Sequence, residues 1–222
     1  MSDIQQVLLL LLCGLPYIAI ALFLVISRKA NQFRMSDVFL GFFGIAVGLG
    51  LGIVGAVLII TAYPQTNATI SNSFLGTVLA VMLGVALLGG EFFRYISLKP
   101  SKDQQSRTSL SGLAFGVGFS LGEFVFFVAI VLMNWGKFLT MDAALMILVD
   151  VIIQLAISIA AYELIKNENA ASILVGTPYF LSLFLTYALH GSVILNVTQK
   201  VIFLIIALML AFTFMPKNSA TD

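Results

Sequence analysis

The chain has 222 residues, of which 60% are hydrophobic and 9% charged, with a formal net charge of +1 and a mean hydropathy of +1.09. These values lie outside the range of soluble globular domains, offer no basic surface for a nucleic-acid partner, and indicate an integral membrane protein in contact with a lipid bilayer. The single cysteine, Cys13, excludes an intrachain disulfide.

Seven apolar segments, each near the roughly 20 residues that a helix needs to cross a bilayer, predict an all-α bundle of seven transmembrane helices in one domain over 1–222. Their expected bounds are 4–27, 35–62, 73–98, 110–134, 141–165, 170–194 and 199–215. The first has no basic residues before it and outruns a signal-peptide core, so it is expected to be a retained span. It contains Pro16, as the sixth contains Pro178, and each removes one helical hydrogen bond.

The second span carries Gly44, Gly48 and Gly52 at a stride of four. The fourth carries Gly112, Gly116 and Ser120 at the same stride, with Gly118 and Gly122 on an adjacent stripe. In lipid, small residues every fourth position let two helix backbones approach closely, so both spans are expected to be buried against neighbours.

The third span ends with Glu91 and Arg94, the fourth holds Glu123 near its middle, and the fifth carries Asp150, Gln154 and Ser158 at a stride of four. Along the sixth, Ser182, Thr186 and His190 repeat that stride. A charge at the centre of the hydrocarbon costs about 2.5 kcal/mol or more even on the most permissive scale, so these side chains are expected to face one another. Glu91 and Arg94, three residues apart, fall on one helix face and are expected to pair. The polar set Glu91, Arg94, Glu123, Asp150, Gln154 and His190 thus predicts a polar interior enclosed by spans three to six.

Orientation follows from Lys and Arg in the connections. Segments 28–34, 99–109, 166–169 and 216–222 hold Arg28, Lys29, Arg34, Lys99, Lys102, Arg107, Lys166 and Lys217; the alternate set holds only Lys137 and Lys200. Eight against two places the N-terminus on the exterior or lumenal side and the C-terminus in the cytoplasm. Asn67-Ala-Thr69 and Asn196-Val-Thr198 fit the N-glycosylation pattern in connections expected to lie outside.

A polar interior of this kind suits an interhelical network, a hydrolytic site or a solute pathway. Metal hydrolysis wants three His, Asp, Glu or Cys ligands with an open position, and one histidine makes such a set unusual. No metal and no cofactor is expected. A glutamate acting as base on water, with a histidine polarising the scissile carbonyl, is the conceivable chemistry, and Glu91, Glu123 and His190 would carry it. No corresponding pair of broken helices marks a transporter, which ranks third.

The residues Gly14 to Lys29, with Pro16 and small–apolar alternation, the run Glu91-Phe-Phe-Arg94-Tyr95, and Ser111-Gly-Leu-Ala-Phe-Gly116 resemble the anterior-pharynx-defective subunit family of gamma-secretase. More distantly the chain resembles the YhfC-like and CAAX-processing intramembrane proteases that share that fold. Against the subunit family's glycine-every-fourth motif, Ser120 stands in place of the third glycine; against those proteases, Gly90 stands in place of a glutamate, and Phe119 and Gln154 in place of histidines. Glu123 and His190 stand where the pattern has them.

The resemblance implies an intramembrane-protease fold without its chemistry: a non-catalytic scaffold or assembly subunit whose partners are other membrane-protein subunits, among them a presenilin-like protease. The alternative it leaves is a divergent glutamate-dependent protease.

Overall fold

The computed structural model describes residues 3–62, 72–99, 108, 110–133, 140–189 and 192–215. Seven α-helices follow in order: α1 (Asp3–Ile26), α2 (Met35–Ala62), α3 (Asn72–Leu98), α4 (Leu110–Met133), α5 (Met141–Ile165), α6 (Ser172–Leu189) and α7 (Val193–Phe214), with a 3₁₀ turn at Ala30–Gln32 between α1 and α2. No strand occurs among the described residues.

The first five helices match the apolar segments to within a residue or so at each end. The last two differ, for local reasons. Between α5 and α6 the chain turns tightly through Glu168 at φ 55°. There the Ala171 N–H donates to Asn169 Oδ1 at 2.9 Å, and Asn169 Nδ2 donates to the Phe214 carbonyl at 3.0 Å, so one side chain starts α6 and closes α7. The next helix starts at Val193 and not at 199, because the Ser192 hydroxyl accepts from the Leu195 N–H and caps it.

Two expectations change with that boundary. Asn196-Val-Thr198 lies inside α7 and not in a connection, which is not the surface loop that glycosylation requires. Lys200 also moves from a connection into the helix, leaving only Lys137 in the exterior count. Lys137 and Asn67-Ala-Thr69 lie outside the described residues.

Packing follows the small residues. The second helix lies across both α3 and α4, which hardly touch each other; α4 continues onto α5, and α6 packs against α3, α5 and α7, with α1 lying along α5. A Cβ at Gly41 would fall onto the Phe115 carbonyl and one at Gly118 onto the Val38 carbonyl, so α2 and α4 meet backbone to backbone.

Gly48 and Gly52 bring α2 equally close to Ala86 and Met82 of α3, while Gly44 faces the rings of Phe93, Phe115 and Phe119. Gly112 and Gly116 lie against Tyr162 and Ser158 of α5. Ser120 donates to the Gly116 carbonyl at 2.8 Å and accepts from the Tyr17 hydroxyl at 3.1 Å, tying α4 to α1. Both small-residue stripes are therefore taken up inside this chain.

The core so formed is centred on Phe115, Phe119, Ile153, Ile157, Leu164 and Val175, all buried. Apolar side chains cover much of the outside, notably Leu22, Val25 and Ile26 on α1 and Ile194, Met209 and Phe212 on α7, as suits contact with lipid tails.

Candidate functional site

Helices α3, α4, α5 and α7 bring five ionisable side chains into one interior: Glu91, Arg94, Glu123, Asp150 and Lys200. Four of these are tied into two pairs. Arg94 Nη1 donates to Glu91 Oε2 at 2.7 Å, one helical turn back along α3, and both side chains are buried. Their setting is specific. The Glu91 carboxyl rests against α6 at Gly176, where a Cβ would come within 2.6 Å of its Cδ.

The Arg94 guanidinium carbon lies 5.2 Å from the Phe115 ring centre and 5.6 Å from that of Phe119. Those two rings stand 6.2 Å apart at 24° to one another. Cation–π attraction of this kind favours a guanidinium buried from solvent. No protein acceptor among the described residues meets Arg94 Nε or Nη2.

The second pair joins two helices. Lys200 Nζ of α7 donates to Asp150 Oδ1 of α5. The ammonium lies 6.0 Å from the ring centre of Tyr179 on α6, and the Tyr179 hydroxyl engages both Asp150 and Gln154. Tyr179 thereby presents its ring to the cation and its hydroxyl to the anion. Lys200 is 2% exposed, whereas the Asp150 side chain remains 24% exposed.

Glu123 is the fifth group. It lies within electrostatic reach of Asp150, Lys200, Arg94 and Glu91, yet no described residue hydrogen-bonds or ion-pairs with its carboxylate. It is half-buried.

Of the expected polar set, Glu91, Arg94, Glu123, Asp150 and Gln154 thus share one interior. His190 lies outside the described residues, as does the side chain of Thr186. Gln154, Ser158 and Ser182 are buried, and Gln154 Oε1, Ser158 Oγ and Ser182 Oγ have no hydrogen-bond partner among the described residues. Two members were missed by the sequence reading. Lys200 lies inside α7 and not in a connection; the signal for it is an acidic residue, Asp150, in the fifth span with no basic residue near it in sequence. Tyr179 passed as an aromatic in an apolar run.

Gly90 of α3 and Phe119 of α4 meet in space. A Cβ at position 90 would lie 2.7 Å from Phe119 Cε2 and 2.9 Å from its Cζ, so the Phe119 ring fills the volume that a side chain at 90 would need. The same ring covers Arg94. Among the described residues no three His, Cys, Asp or Glu side chains gather to hold a metal ion.

Among the described residues, four helices are long and apolar enough to cross a membrane: Val7–Ile26, Met35–Thr61, Met141–Ile165 and Val193–Phe214. The fold and its charged interior define the class, an all-helical multi-pass membrane protein. Comparison with protein-family models, curated proteins and solved structures gives no match.

Proposed function

We propose that the chain is a seven-span membrane protein, N-terminus exterior or lumenal and C-terminus cytoplasmic, that serves as a non-catalytic scaffold or assembly subunit of an intramembrane-protease complex. The remaining helices are long enough for that topology: even α6, with 18 residues, extends ~27 Å at 1.5 Å per residue.

One observation supports the non-catalytic role above the others: Phe119 packs flush on Gly90 and roofs Arg94. Hydrolysis needs a base and an ordered water in a polar pocket, and an aromatic ring is in that place. Gln154 adds an amide where a proton acceptor would be required. Glu91, paired with Arg94, has its charge already engaged.

Because the glycine stripes are occupied within the chain, they leave no surface for a partner. Gly112→Leu or Gly116→Leu would first disturb the chain's own α4–α5 contact. Assembly is therefore tested on the wild-type protein. Purification in mild detergent followed by mass spectrometry is expected to find a presenilin-like protease among the copurifying subunits, and Glu123→Gln is expected to leave that partner's proteolysis largely intact.

A second reading is favoured by Glu123, a half-buried carboxylate without a hydrogen-bond partner among the described residues and within electrostatic reach of Glu91. On that reading Glu91, Glu123 and His190 would hydrolyse a membrane peptide. Cleavage by the purified chain alone, abolished by Glu123→Gln or His190→Ala, would replace the scaffold proposal with it. A solute-transport role would require flux into liposomes that depends on Glu123 or Asp150.

A further inference from the structure

Helices α1 and α2 are both long and apolar enough to cross a membrane, the first apolar span ending at Ile26 and the next beginning at Met35. Residues 27–34 between them therefore turn at the bilayer surface. That stretch carries Arg28, Lys29 and Arg34 and no acidic residue. It is also held in place. The Arg28 N–H donates to the Val25 carbonyl at 3.2 Å and the Lys29 N–H to the Leu24 carbonyl at 3.1 Å, the paired bonds of a Schellman ending. A 3₁₀ turn at Ala30–Gln32 follows, and Phe33 packs against the buried cluster of Val117, Val151 and Leu155.

A Schellman ending puts one residue in the left-handed region, where glycine alone has no steric penalty. Here that residue is Arg28, at φ 53°. The same device closes α5, where Glu168 has φ 55°, its N–H on the Ile165 carbonyl and that of Asn169 on the Leu164 carbonyl. The two ends differ in what their side chains meet. Glu168 Oε2 lies 3.8 Å from Lys99 Nζ, and Lys166 beside it pairs with Glu163. Arg28 and Lys29 are exposed, and among the described residues no ion pair or side-chain hydrogen bond engages either. Strain at Glu168 brings a carboxylate to a lysine; strain at Arg28 brings a guanidinium to no group of the described chain.

Depth identifies the missing anion. Val25 and Ile26 at the end of α1, and Met35 and Phe39 at the start of α2, are exposed apolar side chains flanking the turn, so the two cations stand where hydrocarbon gives way to headgroups. An anion at that level, with apolar chains beneath it, is a phospholipid. Two cations with no acid beside them favour a headgroup of net negative charge over a zwitterionic one.

We propose that Arg28 and Lys29 hold the phosphate of an anionic phospholipid at the α1–α2 turn, with its acyl chains along Val25, Ile26, Met35 and Phe39. Arg28 supplies a planar fork of donors suited to two phosphate oxygens, and Lys29 a compact charge. The site does not rest on a protease partner.

The test uses the full-length protein in mild non-ionic detergent. Dioleoylphosphatidylglycerol is added to the micelles in one arm, dioleoylphosphatidylcholine at equal mole fraction in the second, and inorganic phosphate in the third. Unfolding is followed through Cys13, which is fully buried and becomes reactive to a thiol dye only when α1 leaves α5.

Phosphatidylglycerol raises the unfolding midpoint by about 3–5 °C per tenfold excess over its dissociation constant, and less at high ionic strength. Phosphatidylcholine and inorganic phosphate leave it unchanged. Lys29→Gln weakens the affinity for phosphatidylglycerol about fivefold, and Arg28→Gly by at least as much. Glycine suits φ 53°, so Arg28→Gly unfolds in phosphatidylcholine at a midpoint no lower than that of wild type. Lys166→Gln, whose lysine already pairs with Glu163, keeps the wild-type affinity. An equal response to the two lipids overturns the proposal. So does a loss in Lys166→Gln as large as that in Arg28→Gly, which would mean attraction to the basic surface at large. A rise of the same size with inorganic phosphate overturns the lipid as occupant.

Discussion

Glu91 and Arg94 lie three residues apart on α3 and would face each other in any helix, whereas Asp150 and Lys200 are separated by 50 positions and meet only because α5 packs on α7. The first pair is enclosed on every side. Its carboxyl rests on Gly176, its guanidinium stacks on Phe115 and Phe119, and both side chains are almost completely buried. The second is open on one side, with Asp150 partly exposed and within electrostatic reach of Glu123. A local pair that is sealed in serves to set the rotation of α3 against α4 and α6. A tertiary pair with an open flank holds α7 to the bundle.

The largest effect is expected at the sealed pair. Arg94→Met leaves Glu91 buried without a countercharge, a change that costs about 3–5 kcal/mol, and removes stacking on two rings worth about 0.5–2 kcal/mol. That loss approaches the whole stability of an ordinary domain. Equilibrium unfolding in detergent should find little folded Arg94→Met, and Glu91→Gln in the same chain should recover most of it.

Lys200→Met should cost less, about 3 kcal/mol, since the stranded Asp150 keeps some access to solvent. Asp150→Asn should restore the loss. Equal damage from Lys200→Met and Arg94→Met would remove the distinction between a sealed and an open pair.

The same contrast explains what could be read from the sequence. The bounds of the first five helices were legible because apolar runs of about 20 residues interrupted by polar turns have few other solutions in a membrane protein. The Glu91–Arg94 pair followed from i,i+3 spacing alone.

Lys200 did not, because Asn196, Thr198, Gln199 and Lys200 together look like a polar connection. Only Asp150 across the helix boundary makes a lysine tolerable there. The partnership of Phe119 with Gly90 was equally hidden. Each position reads as a simple departure from a motif, and the volume one gives up to the other appears only when the fold brings the Phe119 ring of α4 onto Gly90 of α3. Glycine spacing was visible, but not whether its neighbour would be in this chain or another.

Gly176→Ala probes the sealed pair from outside. The new Cβ would lie 2.6–2.7 Å from Cδ, Cγ and Oε1 of Glu91, so the carboxyl or α6 must move, an overpacking that costs about 1–3 kcal/mol. Since Glu91 also holds Arg94, the cost should fall when the alanine is combined with Glu91→Ala. A double-mutant cycle measured by unfolding in detergent gives that coupling. Additivity of the two changes would mean that Gly176 is needed for something other than the carboxyl.

The smallest effect should come from Tyr17→Phe, which lies near the open pair but outside it. The Tyr17 hydroxyl donates to Ser120 Oγ, and Ser120 in turn donates to the Gly116 carbonyl. Deleting the phenol oxygen therefore leaves Ser120 still hydrogen-bonded and strands no donor on α1, and the expected loss is that of one neutral hydrogen bond, about 0.5–1.5 kcal/mol. Combined with Lys200→Met, the two losses should add to within about 0.5 kcal/mol, as they do for sites without a shared partner. Glu123 lies within electrostatic reach of both Tyr17 and Lys200, so a coupling well above that margin would show that the carboxylate transmits one change to the other. The open pair would then extend through Glu123 to α1, and α1 would belong to the charged interior and not only to its wall.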